Sequence, residues 1–188
     1  MLKIKKLHCG IVEPTRAYPT DSGLDVYAYL PDGDVTIAPG KLNIKYQFQK
    51  VFKRILDGFS PLYSDDLVTE PRHIVKIPLG FAIQLPQKEM IVTEQDGTKY
   101  KVVYEAQLRG RSGLANAGIF CHFGTIDNSY TGEMQVILVN HSSKPFVVKH
   151  GAKIAQLVIQ TVCIPEVGYV AEFEETSRGA NGFGSTGV

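Results

Sequence analysis

The chain has 188 residues, 44% of them hydrophobic, with a formal net charge of +1. That length and apolar content suit one globular domain with its own core and exclude a disordered chain. No apolar run reaches the roughly 20 residues of a membrane-spanning helix, and the near-neutral charge excludes a global field toward nucleic acid or a membrane, so any anion must be held locally.

At the N-terminus, lysines alternate with Leu2 and Ile4. That pattern reads as a strand rather than as the apolar centre of a signal peptide. Short β-branched segments follow at 24–29, 34–37, 74–85, 101–108, 134–140, 146–149 and 154–161. Turn signals such as Pro31-Asp32-Gly33, Pro39-Gly40 and His150-Gly151 separate them. Many short strands at even spacing predict an all-β sandwich, jelly roll or barrel.

One stretch departs from this pattern. Phe48, Val51, Phe52, Ile55, Leu56 and Phe59 recur at helical spacing, which predicts an amphipathic helix. Gly58 and Pro61 end it, and residues 60–72 read as a polar loop. Further on, residues 92–93 and 100–103 flank Asp96-Gly97, a hairpin turn signal. Cys9, Cys121 and Cys163 are odd in number and widely spaced. They fit neither a zinc site nor a disulfide framework and point to a reducing cytoplasm.

Five segments gather the residues that carry chemistry. The first is Thr20-Asp21-Ser22-Gly23-Leu24-Asp25, whose Asp25 opens a strand where it serves as a turn residue or faces a metal. The second, Gly110-Arg111-Ser112-Gly113-Leu114-Ala115, suits phosphate oxygens at the start of a short helical turn, or a plain surface turn. In the third, Gly124 and Gly132 bracket Thr125, Ile126, Asp127 and Tyr130, which suggests a β-hairpin with an exposed tip. Asp127 there suits orienting a water, and Tyr130 suits packing on a sugar. The competing reading is turn chemistry, since Asp and Asn bond their own backbone in turns. The fourth segment places Gln156 in an apolar strand, by default as a half-buried polar partner. The fifth is the glycine-rich tail, with Arg178, Phe183, Gly184, Ser185 and Thr186. It is either a loose terminus or a set of backbone and hydroxyl donors converging on an anion, with one aromatic for a base.

In this order, the five segments resemble the five motifs of the trimeric dUTPase family. The resemblance covers nearly the whole chain as a single domain, with a helical insertion at 43–73, an extra hairpin at 87–102 and a C-terminal arm at 174–188. It implies a jelly-roll-like β-barrel and a homotrimer whose active sites lie at subunit interfaces. It implies hydrolysis of dUTP to dUMP and diphosphate with Mg²⁺, which is held chiefly by the substrate phosphates and reached by Asp25 through water. One chain would supply Asp127, to aim the attacking water, and Tyr130, to stack beneath the deoxyribose, with uracil on the backbone of Thr125 and Ile126. A second would supply Arg111, Ser112, Gly113 and Gln156 for the phosphates. The arm of a third would close the site, with Arg178, Ser185 and Thr186 at the γ-phosphate, Phe183 over the uracil and Gly184 among the substrate-binding residues. The insertion at 43–73 is the place for a protein partner; neither membrane nor direct nucleic-acid binding is implied.

The chain departs from the family pattern in places. Gly110 stands where proline is usual, and Arg111 to Asp127 is shorter by about three residues than the resemblance leads one to expect. Cys121 and His122 occupy the position of an uracil-contacting asparagine, and His122 reads as structural. Ala152-Lys153 replaces an acidic–basic pair. Two rival readings share the fold: a dCTP deaminase or bifunctional enzyme using Glu133, and a regulatory protein.

Overall fold

The computed structural model describes residues 1–39, 73–122 and 124–180. The strands are β1 (Lys3–Lys6), β2 (Gly23–Tyr27), β3 (Val35–Ile37), β4 (Ile74–Gln84), β5 (Met90–Thr93), β6 (Lys99–Arg109), β7 (Ile119–Cys121), β8 (Thr125–Ile126), β9 (Glu133–Asn140), β10 (Phe146–Val148) and β11 (Lys153–Ile164). A single turn of helix, α1 (Ser112–Asn116), follows β6. One sheet runs β1-β4-β9-β7 and a second β2-β11-β6-β5, with β8 added to β6; β10 and β3 form a third, two-stranded unit. All the pairings are antiparallel.

Period-two patterning explains the layers. In β9, Met134, Val136 and Leu138 are buried while Gln135 and Ile137 face outward. Ala106 and Leu108 of β6 and Leu157 of β11 meet them in a core that includes Phe81. β4 breaks the alternation around Gly80, where the register with β9 shifts between Pro78 and Ala82. Gly80 has φ +73°, and a Cβ there would lie 2.5 Å from Ile11 Cγ2 and 2.9 Å from the Tyr29 ring. Only glycine satisfies both the backbone angle and the close approach.

The predicted strands are present, and the Asp96-Gly97 turn joins β5 to β6 as expected. Thr98 N–H bonds Asp96 Oδ1 at 2.8 Å, and Met90 pairs with Val102. The expected hairpin at 124–132 needs correction. Thr125 pairs with Gln107 and Ile126 with Ala106, so β8 joins β6 rather than β9. β5 covers the edge of β6 only as far as Val102, and β8 takes up the same edge at Ala106 and Gln107. The helix expected around 48–59, the loop at 60–72, and Phe183, Gly184, Ser185 and Thr186 of the arm lie outside the described residues. No helix among the described residues is long and apolar enough to cross a membrane. All three cysteines are free, Cys121 buried and Cys9 and Cys163 exposed.

Candidate active site

Strand register assembles the first half of the site. Gln156 of β11 lies opposite Asp25 of β2 and Arg109 of β6. Asp25 is only 4% exposed, and a buried carboxylate requires compensating partners. Lys153 Nζ bonds Asp25 Oδ2 at 2.8 Å. Gln156 Nε2 donates to Asp25 Oδ1 at 3.3 Å, and Arg111 Nε lies 3.5 Å from the same oxygen. Gly23 makes room for Gln156, since a Cβ there would sit 3.2 Å from Gln156 Cβ.

Burial alone would push the Asp25 carboxyl up. The hydrogen bonds from Lys153 and Gln156, with the charge of Arg111, more than offset it and bring it below the ordinary aspartate value. The hydrogen bond to Asp25 raises Lys153 in turn.

Arg111 is the N-cap of α1, in extended conformation at φ −96° and ψ 138°. Its Nη1 donates to Lys153 O at 3.3 Å. The carboxylate thus engages Nε and this carbonyl Nη1, and no Nη2 hydrogen bond is made among the described residues, which leaves that nitrogen for a phosphate oxygen. Ala115 N–H donates to Arg111 O, so the N–H groups of Ser112, Gly113 and Leu114 precede the first helical bond and face outward as donors.

The second half is a groove of about 260 Å³, lined among others by Thr125, Ile126, Asp127, Tyr130, Glu133 and Lys76. Asp127 is exposed. Among the described residues its carboxylate has no ion pair or side-chain hydrogen bond, whereas its backbone O accepts from Tyr130 N–H at 3.0 Å. Tyr130 Oη donates to Glu133 O at 3.0 Å. Its ring lies over Gly132, where a Cβ would come within 2.5 Å of Tyr130 Oη. Glu133 Oε1 accepts from Gly80 N–H at 3.2 Å, which ties this carboxylate to β4. His122 is exposed, and its N–H continues the β7–β9 ladder to Ile137 O at 2.8 Å. The buried Cys121 thiol is pushed up to about 11 by desolvation.

The two halves are far apart in one chain. The β6–β8 register, extended by one residue, sets Asp127 opposite Glu105. Arg111 lies six residues further along the extended chain, a separation of about 20 Å at the usual strand rise. No hydrogen bond or ion pair joins the halves among the described residues. Arg178 is exposed in the irregular segment after β11, where Gly179 N–H bonds Thr176 O at 3.1 Å.

For a divalent cation the fit is limited. Among the described residues no group of three His, Cys, Asp or Glu side chains is placed to hold a metal. Both Asp25 oxygens are already occupied by Lys153, Arg111 and Gln156, so Asp25 does not fit as a direct ligand.

Lys153 is the residue that sequence reasoning passed over, noting it only as a departure from a pattern. The signal was present: an aspartate in an apolar strand needs a counter-charge, and Lys153 begins the strand that pairs with it.

A family model described as dUTPase matches residues 75–187. The deoxyuridine 5'-triphosphate nucleotidohydrolase of Rhizobium rhizogenes is 34% identical, covering 92% of this chain and 84% of that one. The enzyme of the same name from Syntrophotalea carbinolica is 33% identical over 99% of this chain and 96% of its own. The chain belongs to the dUTPase family. Solved dUTPases share the fold. A mutant of the Staphylococcus bacteriophage 80alpha dUTPase with dUpNHpp superposes with a TM-score of 0.67 at 21% identity, covering 100% of this chain and 99% of that one. A mutant dUTPase of phage phi11 of S. aureus, described with a structural Mg(II) ion, gives 0.61 at 18% identity, covering 93% and 99%.

Proposed function

We propose that this dUTPase-family chain hydrolyses dUTP to dUMP and diphosphate at sites shared between copies of itself. The carrying observation is the separation of about 20 Å between Asp127 and Arg111 along the strand direction. A nucleotide spanning base, sugar and phosphates uses both halves only if the groove of one copy faces the Asp25–Arg111–Gln156 cluster of another. A closed trimer gives three equivalent sites of this kind.

In that site uracil lies on the backbone of Thr125 and Ile126, and Tyr130 stacks beneath the deoxyribose, held there by its bond to Glu133 O. Asp127 accepts a hydrogen bond from a water and takes up its proton as the water oxygen bonds to the α-phosphorus. The bond from that phosphorus to the bridging oxygen breaks, and diphosphate leaves with the electron pair. Arg111, Ser112, Gly113 and Gln156 hold phosphate oxygens and neutralise their charge, so catalysis is mainly positioning and electrostatics. Arg178, Phe183, Gly184, Ser185 and Thr186 of the arm complete the enclosure.

Mg²⁺ carried by the triphosphate would supply further charge neutralisation, held by substrate oxygens and waters with Asp25 reached only through water. Lys153 keeps Asp25 ionised and Arg111 aligned. The reaction keeps uracil out of DNA and supplies dUMP, and the free cysteines suit a cytoplasmic setting. The 43–73 insertion is where a protein partner would act.

The test incubates the purified chain with dUTP, and separately with dCTP, in the presence of Mg²⁺ and separates the products. The expected result is dUMP and diphosphate from dUTP, with dCTP unchanged. Intact dUTP, or release of ammonia from dCTP, would overturn the proposal.

A further inference from the structure

Asn128 does more than a turn asparagine does. Such a residue bonds its own neighbouring backbone. Asn128 Nδ2 instead donates to Pro86 O at 3.1 Å and to Tyr104 O at 3.0 Å. An amide group has two donor hydrogens, and both are used here. Pro86 follows β4 in one sheet and Tyr104 lies in β6 of another, so a single side chain bridges the two. Gln87 closes the arrangement, because its Nε2 donates to Asn128 O and to Leu85 O, each at 3.0 Å.

Asp127 sits between fixed points. On one side Ile126 pairs with Ala106 of β6; on the other is Asn128. The Asp127 carboxylate has no side-chain partner among the described residues, so its placement rests on where the backbone holds its Cβ. We propose that Asn128 and Gln87 form a latch that positions Asp127 for water activation and makes the start of the 87–102 segment part of the catalytic apparatus. The inference rests on the reading of Asp127 as the water-orienting carboxylate. Asn128 and Gln87 are positioning residues, since neither touches the reacting atoms.

The experiment measures kcat, KM, trimer mass, melting temperature and affinity for a non-hydrolysable dUTP analogue in Asn128→Asp, Asn128→Ala and Gln87→Ala, with Asp127→Asn as reference. Asn128→Asp keeps the shape but removes both donors and sets a carboxylate against two carbonyl oxygens. Its kcat is expected to fall about 100-fold, the scale of a 1 Å misplacement, while KM and analogue affinity stay within about threefold. Asn128→Ala follows the same pattern if the aspartate variant does not fold. Gln87→Ala, at the surface end of the latch, loses about three- to tenfold in kcat by the same argument.

A kcat within twofold of the parent in both Asn128 variants, with Asp127→Asn inactive, overturns the latch and leaves the role of Asp127 standing. Loss of analogue affinity in parallel with kcat also overturns it, because that marks general disruption of the site. An active Asp127→Asn overturns the underlying reading and the latch together.

Discussion

The two halves of the site are built by opposite means. The Asp25 cluster is assembled in advance: strand register brings Asp25 and Gln156 together, burial demands a counter-charge, and Lys153 and Arg111 provide it. The groove at 124–133 leaves its carboxylate exposed and unpaired among the described residues and fixes it through backbone contacts on either side. The difference matches the role proposed for each half. Phosphate binding gains from cations already aligned. A water-orienting carboxylate must keep its oxygens available, so a tight ion pair would disable it.

The sharpest way to break this comparison is Asp127→Asn. A positioned general base is worth about 10²–10⁴-fold in rate, so kcat should fall by that order. Analogue affinity and melting temperature should stay near those of the parent, because no partner loses its charge. Steady-state kinetics beside a thermal melt checks this. A large loss of stability would show that Asp127 is as structurally embedded as Asp25.

The opposite outcome is expected for Lys153→Met, where pH sharpens the contrast. The Asp25 carboxyl is lowered in the folded protein. Its stability contribution is therefore complete above the unfolded value of about 3.9 and lost as pH falls through the lower folded value. Removing Lys153 takes away a principal lowering hydrogen bond, so the folded value rises and acid unfolding should begin at a higher pH than in the parent. KM for dUTP should also rise, because only Arg111 and Gln156 then hold Asp25. Acid titration followed by circular dichroism is the measurement; an unchanged midpoint would mean that Lys153 is an ornament of the surface.

A smaller effect is expected at the sugar. Gly132→Ala places a Cβ against the Tyr130 hydroxyl and must displace the ring or its bond to Glu133 O. A rise in KM of about threefold, equivalent to roughly 0.7 kcal/mol, is expected with little change in kcat. The ratio of dUTP to UTP turnover reads the loss of sugar discrimination.

Much of the fold was legible in the sequence because its strands obey period two: β9 alternates from Met134 to Asn140 as its residues suggested, and Asp96-Gly97 marked the β5–β6 turn. The pairing of β8 was not legible, since local turn residues at Gly124 and Gly132 cannot report that β6 offers an edge beyond the end of β5. The candidate site was legible as residue types and as a resemblance, but its wiring was not. The Lys153–Asp25 pair lies beside a register shift between Lys153 and Ala155, and the Asn128 bonds join residues distant in sequence.

The central claim is that Asp127 and Arg111 act together only across copies, and complementation tests it most directly. Asp127→Asn and Arg111→Ala are each prepared as inactive proteins, then denatured together and refolded as a mixture. Random assortment in a closed trimer gives roughly a quarter of the sites an intact Asp127 from one chain and an intact Arg111 from its neighbour. The account predicts that dUTP hydrolysis returns to about that fraction of the parent rate. A refolded mixture of correct trimer mass that stays as inactive as its components would contradict it.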